Sequence, residues 1–423
     1  MTDSTTPSSA NRGPDRAGRG FSRRRLLTAV GAAGLGTGAA VGAVAGAAAR
    51  EDSPALATVG STSVAFHGRH QAGITTPLQS SGHLIAFDLA PETTRRAVAA
   101  LLRRWSGTAE RLMAGESTAD DTSVARDAGP SSLTVTFGFG RSFFARTGLE
   151  KQRPAALDPL PDFSSDALDP QRGEGDLWVQ IGADDALVAF HALRAVQKDA
   201  RGVARVRWQM NGFNRSAGAT AQPMTMRNLM GQVDGTNNPE PGQDDFEQRI
   251  FVPSGGGDRH PAWMADGSYV VFRRIRMLLD DWEALRQSEQ ERVIGRRKAD
   301  GAPLTGGSET TPLDLEKTDA EGRPVVPANA HARISAPAAN GGAAMLRRPF
   351  SYHDGFDPEG APDAGLLFIC WQADPLKGFV PVQRKLDRGD ALSAFIRHEA
   401  SGLFAVPGGC GPGEYVGQRL LEG

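Results

Sequence analysis

Two segments far apart in this chain are built alike, and that likeness constrains the fold more than any other feature. Leu177-Trp178-Val179-Gln180-Ile181-Gly182-Ala183-Asp184 and Leu367-Phe368-Ile369-Cys370-Trp371-Gln372-Ala373-Asp374 are each an apolar run ending in Ala-Asp. Short apolar runs rich in aromatic and β-branched residues read as strands. A strand–helix–strand rhythm surrounds both. In the first half the strand candidates are His83–Asp88, Leu133–Phe137, Leu177–Ile181 and Val206–Met210. Between them, Pro91–Trp105 has helical spacing, with Val98, Leu101, Leu102 and Trp105 on one face, and Asp184-Asp185 can cap a helix running to about Val196. The second half offers strands at Ser268–Phe272 and Leu366–Gln372, and helices at about Asp280–Gly295 and Asp390–Ile396. Polar connections fill 107–130, 150–175 and 299–330, and the Gly/Pro-rich stretch 404–413 reads as loop. The pattern implies an α+β chain of two duplicated units.

The 423 residues leave room for two domains behind an N-terminal leader. Ser22-Arg23-Arg24-Arg25-Leu26-Leu27 precedes a mildly apolar Ala/Gly/Val run ending in Ala47-Ala48-Ala49, the pattern of a twin-arginine export signal cleaved after Ala49. The run is about long enough to span a bilayer, but its many Gly and few Leu or Ile make a weak anchor. No stable membrane insertion is expected once the signal is removed. The expected divisions are signal 1–49, linker 50–62, an N-terminal domain 63–220 and a C-terminal domain 221–423. After residue 49 the chain holds 41 basic and 47 acidic residues, net −6, which gives no reason to expect nucleic acid or an anionic membrane as partner. Cys370 lies in a strand-like run and Cys410 in a Gly-rich loop. With no CxxC and no Cys/His cluster, a zinc or iron–sulfur site is not expected, and two unbridged thiols are.

Chemistry concentrates at Gly231-Gln232-Val233-Asp234-Gly235-Thr236-Asn237-Asn238-Pro239. On its own an Asp-Gly turn is ordinary. This longer run sets consecutive backbone N–H groups beside a carboxylate, and such a loop can hold an anionic group while aiming the Asp elsewhere. His331, in Ala328-Asn329-Ala330-His331-Ala332-Arg333, has small neighbours that leave room for a flat ligand. Arg347-Arg348 follows. An acid, a soft metal ligand and a fixed cation suit peroxide cleavage on haem iron.

Taken together, these marks resemble the dye-decolourising peroxidase family, most closely its exported A-type members. The resemblance rests on the twin-arginine signal, His70-Gln71-Ala72-Gly73-Ile74, the Gly231–Pro239 run, Asn329–Arg333, Leu346-Arg347-Arg348 with Tyr352, Gly365-Leu366-Leu367-Phe368 and Gly402–Gly408. It covers nearly all of the chain after the signal. It implies two ferredoxin-like domains, each an antiparallel sheet with helices, and one haem b per chain, held mainly by the C-terminal domain. His331 would be the proximal ligand and metal-binding residue. Asp234 would be the proton shuttle, and Arg347 rather than Arg348 the distal charge stabiliser. Gly235, Thr236, Asn237, Arg333, Ala336, Pro337, Ala338, Arg347 and Phe368 would touch the cofactor. The carboxylate behind the histidine would be Asp390 or Asp387. Hydrogen peroxide and an organic reductant would be the substrates. An Asp shuttle implies an acidic optimum, since an ordinary aspartate titrates near pH ~4. Trp263, Trp282, Trp371, Tyr352 and Tyr415 are candidates for passing electrons, each set against a plain packing role. Export would place the protein outside the cell or at the cell surface, or in the periplasm of a cell with two membranes. An oligomer stays open, as does a second activity known in the family, release of iron from haem.

Overall fold

In the computed structural model, residues 60–118, 121–216, 218–220, 224–255 and 259–423 are described. The signal 1–49 and most of the 50–62 linker lie outside these residues.

The first half runs β1 (Ser81–Leu89), α1 (Arg95–Met113), β2 (Thr134–Gly140), short α2 (Arg141–Arg146), β3 (Leu177–Ala183), α3 (Ala186–Asp199) and β4 (Ala204–Phe213). Helix α1 starts later than its periodicity suggests. The Thr94 side chain accepts the Ala97 N–H and sets the boundary there, leaving Pro91 in the turn before it. Asp185 caps α3 by accepting the Leu187 and Val188 amides. The strands pair antiparallel in the order β2-β3-β1-β4.

The second half runs α4 (Phe246–Ile250), β5 (Ser268–Met277), α5 (Leu279–Glu283), α6 (Gln287–Ile294), α7 (His331–Ser335), β6 (Leu346–Arg347), β7 (Phe350–Phe356), β8 (Pro362–Gln372), α8 (Phe379–Gly389), β9 (Ile396–Val406) and α9 (Gln418–Leu421). Its main sheet has the order β9-β5-β8-β7, again antiparallel, with β6 on β8. Each half is thus a β-α-β-β-α-β unit of ferredoxin-like topology. The two look-alike segments occupy equivalent places, for β3 and β8 are each the third strand of their unit.

Several element assignments change. The helix expected over Asp280–Gly295 is two pieces, α5 and α6, broken at Ala284–Arg286 and ended by Gly295 at φ +91°. The helix expected at Asp390–Ile396 is a 3-10 turn, Ala391–Phe395, capped by Asp390 through the Leu392 amide. It leads directly into β9, so residues 404–406 are strand rather than loop. Alternating polar residues and Gly402 mask that strand in sequence.

The two sheets face each other and join at both edges, β2 to β9 at Phe139↔Ala405 and β4 to β7 at Phe213↔Ser351. Trp178 stacks on Phe404 and meets Trp371 in the core between them. Phe350 lies against β1 where Gly82 leaves room; a Cβ there would come within 2.4 Å of the ring. On the far side of the second sheet, α5–α8 and the 299–330 connection leave a space that the sheet floors with Arg273, Ile275, Leu366, Phe368 and His398. No described helix is long and apolar enough to cross a membrane.

Candidate active site

That space is a cavity of ≈ 250 Å³ lined by residues from the turn at 234–237, from α7 and α8, and from the floor of the sheet. Of the residues expected from sequence, Asp234, Gly235, Thr236, Asn237, His331, Ala336, Pro337, Arg347 and Phe368 all line it.

His331 is the first residue of α7, which packs on α8. Its Nδ1 lies 2.6 Å from Oδ2 of Asp390, whose side chain is almost fully buried at the end of α8. Nε2 makes no hydrogen bond among the described residues, and about a third (32 %) of the side-chain surface is open on the cavity side. Burial works against a charged ring here. Charge and hydrogen bonding from Asp390, helped by Asp234 and opposed by Arg347, outweigh it and hold the pKa above the ordinary histidine value. Asp387, the other carboxylate considered, turns away to accept from the Ser164 and Ser165 amides and the Ser164 hydroxyl.

The same cavity holds a second pair. Arg347 Nη1 donates to Asp234 Oδ1 at 3.1 Å, and Asn228 Nδ2 donates to Oδ2 at 3.3 Å. The guanidinium is aimed by Asn238, a residue sequence reasoning gave no role. Asn238 Oδ1 accepts from the Arg347 amide and Nε, and its Nδ2 donates to the Arg347 carbonyl. Arg348, one residue on, points to the other side of the strand and is buried against the carbonyls of Thr76 and Pro77 and the Gln79 side chain.

Two of the residues expected at the cofactor, Arg333 and Ala338, are not among those lining this cavity. The Arg333 guanidinium donates to the Leu315 carbonyl and anchors the 299–330 connection. Ala338 sits exposed in the 3-10 turn Pro337–Asn340. Conversely, Arg296 lines the cavity unforeseen, its Nη1 fixed on the carbonyls of Gly301 and Glu309. The only hint in sequence was a basic run after α6, which reads as a helix end. Arg273 and His398 also line it. Arg273 lies one residue past the strand read from sequence, Ser268–Phe272, and the face of His398 could not be assigned while β9 was not recognised as a strand.

The five aromatic candidates are all buried, none more than 5 % exposed. Trp263, Trp282 and Tyr415 spend their polar atoms on Gln152, Met230 and Glu422, as packing residues do. Both cysteines are free; burial pushes the Cys410 thiol up to about 11 and Cys370 higher still.

The donor set fits haem. An imidazole is fixed by a buried carboxylate, with its other nitrogen free. The consecutive amides of Gly235, Thr236 and Asn237 have no acceptor among the described residues, and Arg296 adds a cation on the same cavity. Those donors suit the acid groups of the macrocycle. Apolar Ile275, Leu366 and Phe368 suit its face.

Comparison with known proteins agrees. The family model described as Dyp-type peroxidase, N-terminal, matches residues 71–214, and Dyp-type peroxidase, C-terminal, matches 225–411. The chain belongs to the Dyp-type peroxidase family. It is 44% identical to a dye-decolorizing peroxidase of Thermobifida fusca, over 97% of this chain and 99% of that one. A deferrochelatase of Yersinia pestis is 34% identical over the full length of both. Among solved structures, ferric DtpA from Streptomyces lividans is 75% identical, with a TM-score of 0.85 over 87% of this chain and 99% of that one.

Proposed function

We propose that this chain is a haem-dependent peroxidase whose iron ligand is His331, whose proton shuttle is Asp234 and whose charge-stabilising residue is Arg347. The carrying observation is that the His331–Asp390 and Asp234–Arg347 pairs line one cavity. Bound there, haem iron supplies the electrons that cleave the peroxide O–O bond. Asp390, accepting from Nδ1, fixes the His331 tautomer that leaves the Nε2 lone pair free, and raises its basicity. An Asp234 carboxylate oxygen takes a proton from one peroxide oxygen and returns it to the other, directly or through a water. Arg347, immobilised by Asn238, presents permanent positive charge where negative charge develops. The contact set for the macrocycle is the 235–237 amides, Arg296, Ala336, Pro337 and Phe368. Organic reductants return electrons one at a time.

Replacing His331 with Ala tests this. Haem binding or its normal ligation is expected to be lost; full retention of both removes the assignment. The deferrochelatase relative motivates a second reading, removal of iron with the macrocycle left intact. Intact protoporphyrin among the products, with no peroxide turnover, would favour it.

We also propose export by the twin-arginine route, because Ser22–Leu27 and the Ala47–Ala49 stretch carry that pattern, and a division into domains at 63–220 and 221–423. Arg23→Lys with Arg24→Lys is expected to keep the protein in the cytoplasm.

A further inference from the structure

Reducing hydrogen peroxide to two waters consumes two protons as well as two electrons. A bulky reductant can pass electrons to a buried centre without entering, but protons need a bonded route. Asp234 does not supply the net protons, since a shuttle ends the cleavage step as it began. Both of its oxygens also face donors inside the site, Arg347 and Asn228. A second acid that reaches both solvent and the cavity can supply them.

We propose that Glu309 is the proton entry to this cavity, passing protons from solvent through the Thr236 hydroxyl to Asp234; the proposal rests on the peroxidase reading. Thr236 Oγ1 donates to Glu309 Oε1 at 2.7 Å. Thr236 and Asp234 line the same cavity from one turn, whereas Glu309 lies behind it and is partly exposed. Its Oε2 makes no hydrogen bond among the described residues. The residue is fixed at both ends: Arg296 Nη1 donates to its main-chain carbonyl at 2.9 Å, and Thr236 holds its carboxylate. Its stem packs where Gly301, at φ +71°, leaves room; a Cβ there would come within 3.2 Å of Glu309 Cγ and 3.0 Å of Val233 Cβ. Glu309 is thereby packed beside the turn that carries Asp234. The charged groups facing it are Arg296 and, beyond Arg296, Arg347.

The step moves only protons. Glu309, protonated from solvent, gives its proton to Thr236 Oγ1. The hydroxyl proton of Thr236 passes through a cavity water to Asp234, and Glu309 is reloaded from solvent. No bond other than O–H is broken or formed. Thr236 is a relay and Glu309 a positioning and supply residue; neither touches the reacting oxygens.

Glu309→Gln keeps the acceptor for Thr236 and removes the acid. The holoprotein is compared with Glu309→Asp, Thr236→Val and Thr236→Ser. Three readouts are taken: the haem absorption spectrum, steady-state turnover against pH in H2O and D2O, and proton uptake reported by an indicator dye after one equivalent of peroxide followed by two equivalents of a reductant that gives electrons without protons, such as ferrocyanide. Glu309→Gln and Thr236→Val are expected to keep the wild-type spectrum. Turnover and proton uptake should slow by about tenfold or more, within the range of general acid effects, with a changed pH profile and a larger solvent isotope effect. Glu309→Asp and Thr236→Ser should recover most of the loss. Wild-type pH profiles and proton uptake in Glu309→Gln or in Thr236→Val would overturn the proposal. If wild-type protein itself binds haem but turns over no peroxide, the peroxidase reading fails first.

Discussion

His331 and Asp390 meet at 2.6 Å across the junction of α7 and α8, and this contact decides between two carboxylates three residues apart. Asp390 caps the 3-10 turn with Oδ1 and holds the imidazole with Oδ2. Asp387 is spent on the Ser164–Ser165 segment. Asp390→Asn should therefore alter the haem spectrum and lower activity or haem affinity by roughly 10–100-fold, the usual cost of losing such an outer partner. Asp387→Asn should leave the spectrum unchanged and loosen the 160s segment. A spectral change in Asp387→Asn alone would reverse the assignment.

Asn238 sets the direction of Arg347, so its loss should mimic loss of the cation. Asn238→Ala is expected to slow peroxide cleavage while haem content stays near wild type. Asp234→Asn should slow the same step by roughly 10²–10⁴-fold, the range for a positioned proton carrier. Arg348→Lys should cost stability rather than rate, because Arg348 serves the Thr76–Gln79 turn. Stopped-flow absorption against thermal unfolding separates the two behaviours.

Most of the first half was legible in sequence, because β1, β2 and β3 are largely apolar runs, α1 has an apolar face at helical spacing and Asp185 caps α3; the start of α1 at Thr94 was not. The proposed site residues were legible for another reason: Asp234, His331 and Arg347 sit in the short motifs that carry the family resemblance. Arg296 and His398 were not. Each reaches the cavity only through tertiary placement, Arg296 from the turn after α6 and His398 from a strand whose polar alternation hid it. Arg333 differs in the opposite sense: its sequence neighbourhood points to the cavity, and its side chain does not line it. It lies two residues from His331, yet on a short helix that spacing turns its side chain to the back, where Leu315 takes it.

Arg296 and Arg333 should therefore separate cleanly. Arg296→Leu should weaken haem binding, measured by transfer of haem to an acceptor protein, and should matter less for haem whose acid groups are esterified. Arg333→Leu should lower the unfolding temperature and leave haem transfer near wild type.

His398 is buried in the cavity floor, and burial together with Arg273 pushes its pKa down to about 3, against a smaller pull from Asp387. Arg273 itself is paired with Asp166. The unfolded chain takes up a proton at His398 near pH ~6.5, while the folded chain resists until about 3. Stability should thus fall on acidification through that window, by about 1.4 kcal/mol per pH unit from this residue. His398→Gln should flatten the acid limb of a denaturation series. An unchanged limb would show that His398 is protonated in the folded protein.

Gly365 lies in β8 opposite Arg276, and a Cβ there would come within 2.0 Å of the Ile275 carbonyl oxygen. Gly365→Ala should force β5 and β8 apart, with a loss of about 1–3 kcal/mol typical of overpacking. Because Leu366 and Phe368 follow on the same strand, haem affinity should fall with stability, read by haem retention during urea unfolding.

The most direct test of the whole account is the absorption spectrum of the purified chain and of His331→Ala, each before and after one equivalent of hydrogen peroxide. The native chain should show a Soret band that changes on adding peroxide and returns when an organic reductant follows, and His331→Ala should lose the band or its native position. A native chain with no Soret band after reconstitution with haem, or a His331→Ala spectrum identical to it, would contradict the account.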